Sequence, residues 1–295
     1  MEKVIPGNTK LVELKNIEKR YNLKTRLFAK VENSNPSGSI KDRPVYQMLL
    51  DYKNDGILKE NSVVVEATSG NTGISLAYYS KIFNYKLLIF MPKSMSKERR
   101  EMIASLGGEL VLVDGGMKQA EEAAIEEVRT NPKAFIFDQF NNKNNVKAHI
   151  LTTGPEIYHD LPTVKYIFAG IGTGGTASGI ATYFSQTNKD VSIIGVEPYE
   201  SPLLTKHVAG AHLIQGIGAN FVPSILRLDL IKEIEDVKGL EAIEMAKEIR
   251  NIEHIDIGIS SGAALKGALN YIKRNNIHDE DVVIIFPDKG DRYQW

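Results

Sequence analysis

Short apolar runs without polar alternation recur along this chain, and most are followed by a stretch of helical periodicity. Residues 63–67, 86–91, 109–114 and 134–138 form a first series, and 166–169, 191–196 and 281–286 a second. A strand with one face in water alternates apolar and polar residues, so unbroken runs predict parallel strands covered on both faces. Between them the spacing predicts helices over 71–83, 96–106, which stops at Gly107-Gly108, and 117–129. The second series predicts helices from the glycine loop at 172–176 to about 184, over 239–250, and from Ser260 to about Lys273, with an irregular stretch from about 197 to 230. At 295 residues the chain exceeds the usual size of one compact domain, and no linker interrupts it. The expectation is an open α/β fold of two lobes sharing a cleft, with ligands beyond the carboxyl ends of the strands.

Charge and composition exclude several function classes. A formal net charge of −1 calls for neither nucleic acid nor an anionic membrane surface. No run approaches the roughly 18 apolar residues that span a bilayer, and residues 1–8 lack the apolar centre of a signal peptide, so the expected location is the cytoplasm. With no cysteine, disulfides and thiolate chemistry are out of reach. Six histidines show no paired spacing on one helix face, His207 and His212 being five apart, so no metal site is expected.

Three loops carry chemistry. Gly172-Thr-Gly-Gly-Thr176 sits between a strand and a helix, where glycines admit positive φ and let backbone N–H groups close on an anion such as phosphate. The alternatives are a tight packing turn, or a dinucleotide fingerprint over 170–175. For that fingerprint Asp190 lies at the wrong end of the next strand and Glu197 comes too late. Thr68-Ser-Gly-Asn-Thr-Gly73 adds hydroxyls and an amide to its N–H groups, which suits a carboxylate; it also reads as a capped helix start. Lys41 stands on a Pro/Gly/Ser loop at the mouth of a helix whose apolar positions are Val45, Met48, Leu49 and Tyr52. It is either a surface lysine or an amine whose desolvation makes it a nucleophile near neutrality.

In order along the chain come Asn35-Pro-Ser-Gly-Ser-Ile-Lys41-Asp-Arg43, Glu66-Ala-Thr-Ser-Gly-Asn-Thr-Gly73 and Met91-Pro-Lys-Ser-Met-Ser-Lys-Glu-Arg-Arg100. Thr152-Thr-Gly-Pro-Glu156, Gly172–Thr176, Gln215-Gly-Ile-Gly218, Gly258-Ile-Ser-Ser-Gly262 and Asp288-Lys-Gly-Asp-Arg-Tyr293 complete the set. From about Gly7 to Tyr293 this pattern resembles the cysteine synthase (O-acetylserine sulfhydrylase) and cystathionine β-synthase family. The resemblance implies a tryptophan-synthase-β-like fold, PLP fold type II. Residues 1–42 plus 146–295 would form the larger lobe, which binds the cofactor phosphate, and 43–145 a smaller mobile lobe that binds the substrate carboxylate. It implies pyridoxal 5′-phosphate held by Lys41 as a Schiff base, by Asn71 at the ring hydroxyl and by Gly172, Thr173, Gly174, Gly175 and Thr176 at the phosphate. Ser260 would face the ring nitrogen. Thr68, Ser69, Thr72 and Gln139 would take the substrate carboxylate, and Gly216 would line the path of the nucleophile.

A serine at the ring nitrogen stabilises a protonated ring less than a carboxylate would, which favours prompt loss of a β-substituent over transamination. The implied reaction is β-replacement on a small amino acid. O-acetyl-L-serine and sulfide would give L-cysteine and acetate through an aminoacrylate, with Lys41 moving the Cα proton. Competing readings use cysteine as donor with water or a thiol as acceptor, releasing sulfide, or make the chain a regulatory partner of a serine acetyltransferase C-terminal tail. A homodimer is implied as well. The chain departs from the pattern at Lys10, where the family commonly has proline, and at 223–229. There Ile225 and Arg227, near Asp229, replace an expected polar pair close to the path of the second substrate. With the sequence ending at Trp295, directly after the last motif, no haem-binding or regulatory domain is expected.

Overall fold

Unbroken apolar runs need cover on both faces, and the computed structural model, which describes residues 4–293, supplies it with two sheets and their flanking helices; Trp295 lies outside the described residues. The chain runs β1 (Lys10–Glu13), α1 (Lys15–Arg20), β2 (Arg26–Val31), α2 (Asp42–Asn54), β3 (Val63–Ala67), α3 (Asn71–Phe83), β4 (Lys86–Pro92) and α4 (Lys97–Ser105). Next come β5 (Glu109–Val113), α5 (Met117–Thr130), β6 (Ala134–Ile136), α6 (Lys143–Leu151), α7 (Thr153–Asp160), β7 (Val164–Gly170), α8 (Gly175–Gln186) and β8 (Ser192–Pro198). It closes with α9 (Leu203–Lys206), β9 (Glu233–Val237), α10 (Gly239–Ile252), α11 (Ile259–Arg274) and β10 (Asp281–Phe286).

Six strands form one sheet in the order β1-β2-β10-β7-β8-β9, and four form the other in the order β5-β4-β3-β6. All pairings are parallel except β1 with β2, which runs antiparallel at the edge. Along β10, Val282, Ile284 and Phe286 enter one core and Val283 and Ile285 the core on the other face. On β3, Val64 packs on one side and Val63 and Val65 on the other. Period-two side chains feeding two cores are what an unbroken apolar run specifies.

Three sequence expectations change. The stretch from 197 to 230 contains the short α9, and beyond it β9 adds a strand that the charged run Glu233-Ile-Glu-Asp-Val237 does not announce. The strand expected over 134–138 ends at Ile136, because Asp138 turns to φ +62 and leaves the extended region. The N-terminal β1, α1 and β2 and the helices α6 and α7 go unread as elements. Among the described residues no helix is long and apolar enough to cross a membrane.

Candidate active site

Lys41 is the cap residue of α2, and the loop leading to it is bound from both sides. Ile40 N–H donates to Pro287 O (2.7 Å) just beyond β10, and Ser39 bridges Asp288. Buried Asp42 accepts from Ser37 N (2.6 Å) and Ser75 Oγ (2.6 Å), the second from α3 of the four-stranded unit. Arg43 is buried completely and grips Glu32 through Nε and Nη2 (2.7 and 2.8 Å) and Glu156 through Nη1 and Nη2 (2.7 Å each). Paired forks of this kind fix orientation as well as charge. The loop thus delivers Lys41 on a braced platform. Among the described residues nothing hydrogen-bonds or ion-pairs its amine, and burial pushes that amine below its ordinary pKa, opposed by the charge of Asp288.

Lys41 lines a cleft with Ile40, Gly172, Thr173, Gly174, Thr176, Gly216 and Ser260. Gly174 caps α8 at φ +84, and a Cβ on Gly172 would sit 2.5 Å from Gly216 O, so the loop backbone itself forms the wall. Gly175 lies one step behind: its N–H reaches Thr173 Oγ1 (3.3 Å), and a Cβ there would fall 1.9 Å from Asn145 Oδ1. His149 on α6 sits against Thr176 Oγ1 (3.3 Å) and Thr153 Oγ1 (2.8 Å). Burial, with Arg43 and Lys41 nearby, holds its pKa well below the usual imidazole range, so it is neutral.

The second cluster stands at the carboxyl ends of β3 and β6. Gly70 N–H reaches Thr68 Oγ1 (3.2 Å), and Thr72 Oγ1 donates to Gln139 Oε1 (2.6 Å). Ser69 gives its carbonyl to Arg99 of α4 (3.0 Å), whose other nitrogen reaches Gln215, so Arg99 straps this loop to the 215–218 loop across the cleft. Asn145 ties the two clusters, donating to Gln139 O (2.8 Å) and Thr173 Oγ1 (3.2 Å). Asn71 stands between them. Its amide donates to Asp288 Oδ2 (2.7 Å) and accepts from Arg292 rather than lining the Lys41 cleft.

Seven of the predicted residues therefore meet in one cleft; Thr72 bonds Gln139, and Thr68 and Ser69 lie on the loop that leads into α3. Ile225 is buried, Leu226 packs under Gly174, and Arg227 and Asp229 pair with each other at the surface (2.6 and 2.8 Å). Residues that sequence reasoning did not single out for a role are Glu66, Asn145, His149 and Asp288. All four are buried polar groups inside or beside motifs, and burial is not visible in a residue's identity.

An aldehyde bearing a phosphate fits this cleft on three observations. A part-buried amine without a partner among the described residues lines the same cleft as a glycine loop at a helix N-terminus, the helix supplies N–H donors and partial positive charge, and Ser260 completes the lining.

Comparison with known proteins points the same way. The family model for pyridoxal-phosphate dependent enzymes matches residues 3–288. A cysteine synthase from Buchnera aphidicola (subsp. Schizaphis graminum) is 44% identical, covering 97% of this chain and 91% of its own. A cysteine synthase from Entamoeba histolytica superposes with a TM-score of 0.95 at 36% identity, over 99% of this chain and 89% of that one. A hydrogen sulfide-producing enzyme from Fusobacterium nucleatum superposes at 0.93 and 38% identity, with all of both chains covered.

Proposed function

The chain belongs to the pyridoxal-phosphate dependent enzymes, and from that premise we propose that it catalyses β-replacement on a small amino acid, with O-acetyl-L-serine and sulfide giving L-cysteine and acetate. The observation that carries this reading is the part-buried Lys41 amine, without a hydrogen-bond or ion-pair partner among the described residues, in the cleft lined by the glycine loop. When bound, pyridoxal phosphate supplies the electron-accepting ring that makes an amino acid's Cα proton removable and its β-substituent a leaving group.

The chain's own residues do the rest. Gly172, Thr173, Gly174, Gly175 and Thr176 would hold the phosphate at the α8 N-terminus, with neutral His149 orienting Thr176. Lys41 would hold the aldehyde, Ser260 would meet the ring nitrogen, and Asn71 would reach the ring hydroxyl from between Asp288 and Arg292. Lys41 Nζ, with its pKa lowered by burial, takes the Cα proton of the amino acid and later returns it. Thr68, Ser69, Thr72 and Gln139 bind the α-carboxylate. Closure of residues 43–145 toward the larger lobe, strapped by Arg99, keeps water from Cβ while sulfide enters past Gly216. The reading extends to a cytoplasmic homodimer.

A second reading is favoured by the full-length superposition on a hydrogen sulfide-producing enzyme: cysteine serves as donor and sulfide leaves. A regulatory partnership with a serine acetyltransferase tail is the remaining alternative.

Two measurements test these readings. Lys41→Ala should lower turnover at least a thousandfold and abolish the visible absorbance of the lysine-bound cofactor; retained turnover overturns the assignment. Supplying cysteine alone and assaying sulfide separates the two donors.

A further inference from the structure

Glu66 lies buried near the end of β3, two residues before Thr68, and carries no ion pair with any described residue. Its Oε2 accepts from Asp138 N–H (3.1 Å), a contact made possible by the φ of +62 at Asp138. The Gln139 side-chain amide faces the same carboxyl. Because Gln139 Oε1 already accepts from Thr72 (2.6 Å), the group it turns toward Glu66 is its NH2. Thr72 O–H therefore donates to Gln139 Oε1, with Gln139 Nε2 turned toward Glu66, whose Oε2 accepts from Asp138 N–H. In that direction the Thr72 proton is committed to Gln139 and cannot serve a substrate carboxylate.

A proton on Glu66 allows the opposite direction. The carboxyl O–H donates to Gln139 Oε1, the reversed amide donates to Thr72 Oγ1, and the Thr72 O–H is released into the cradle. We propose that Glu66 is a positioning residue for the amino-acid carboxylate, its protonation state deciding through Gln139 whether Thr72 donates inward or to the substrate. This rests on the reading of Thr68, Ser69, Thr72 and Gln139 as the carboxylate cradle.

The surroundings favour the protonated form near neutrality. Burial drives the Glu66 pKa up to about 8, its hydrogen bonds only partly offset that, and Asp138 adds like-charge repulsion. The other titratable groups facing it are the Tyr52 phenol from α2 and Glu121 from α5, neither of them a cation. Above that pKa the cradle loses one donor and gains a buried negative charge behind it, so carboxylate binding weakens as pH rises.

Propionate is the probe, since it carries the carboxylate without an amine and stays ionised from about pH 6.5 to 9.5. Its dissociation constant for the holoenzyme, read by ligand-observed NMR, should rise about tenfold through pH 8 in the wild type. Glu66→Gln, a permanently neutral donor, should hold the low-pH affinity throughout. A flat wild-type profile, or an inflection that survives in Glu66→Gln, overturns the proposal. Should that variant not fold, Gln139→Ala must lose the inflection, and its persistence there is equally fatal. Thr72→Ala distinguishes the underlying reading: if it binds propionate as tightly as wild type at every pH, the carboxylate cradle itself is wrong.

Discussion

Glu32 and Glu66 are both buried almost completely, one beside each sheet, and their carboxyls are driven in opposite directions. Around Glu32, Arg43 supplies two parallel bonds, Thr9 Oγ1 donates at 2.6 Å and Asn35 Nδ2 at 2.7 Å. Burial would raise its pKa, but Arg43 outweighs burial and holds it below the carboxylate range. The same guanidinium grips Glu156, which lies at about 2. Around Glu66 there are backbone and amide donors but, among the described residues, no ion-paired cation, and burial wins. Burial alone does not decide the charge of a carboxyl; a committed partner does. The first arrangement is a brace holding the Lys41 platform, and the second leaves a group free to titrate beside the Thr72–Gln139 pair.

The largest effect should come from breaking the brace. Arg43→Ala strands the buried carboxylate of Glu32 without a cation and leaves Glu156 to Lys30, and thermal or denaturant unfolding should show a loss of about 3–5 kcal/mol, or no folded protein at all. An unchanged midpoint would mean that Glu32 and Glu156 find other partners.

Glu66→Gln should behave in the opposite sense. Its folded pKa is raised, so its contribution to stability is fully present below the unfolded value near 4.5 and is lost as pH rises to about 8. Thermal midpoints of variant and wild type should coincide near pH 4 and diverge in favour of the variant up to pH 8. Above that the gap should hold steady, on the order of 2–4 kcal/mol. A gap of equal size at both ends of the range would contradict the raised pKa.

The smallest effect bounds the comparison from outside the core. Arg129 and Glu126 make an equally short fork (2.7 and 2.8 Å), but both side chains are more than half exposed. Arg129→Ala should leave the unfolding midpoint unchanged in moderate salt, because water and ions already screen the pair.

The legibility of the fold follows the same division between local and distant causes. Most parallel strands of both sheets, and most of the helices after them, announce themselves because their burial is continuous along the chain. β2 does not, since Lys30 interrupts Arg26-Leu-Phe-Ala-Lys-Val31; that lysine is buried only because Thr9 O (2.8 Å) and Glu156 (3.0 Å) meet its amine. β9 is missed for the converse reason: it is an edge strand in which Glu233 and Asp236 turn at least partly to solvent, and only Glu235 of its acidic residues is buried. Within the site, Lys41 and the two loops stand out by residue type and spacing. Asn145 and His149, which join and orient them, look like ordinary helix residues.

By itself the sequence determined the alternation of strand and helix, the two loops at helix N-termini, and an amine at the mouth of a third helix. Those properties depend on backbone freedom and side-chain period within a few residues. The tertiary structure alone decided that the Lys41 amine is part-buried with no partner among the described residues, that Arg43 spends its charge on Glu32 and Glu156, and that no described cation pairs with Glu66. Each of these depends on groups brought together from distant parts of the chain, where a low dielectric makes the presence or absence of one partner decisive.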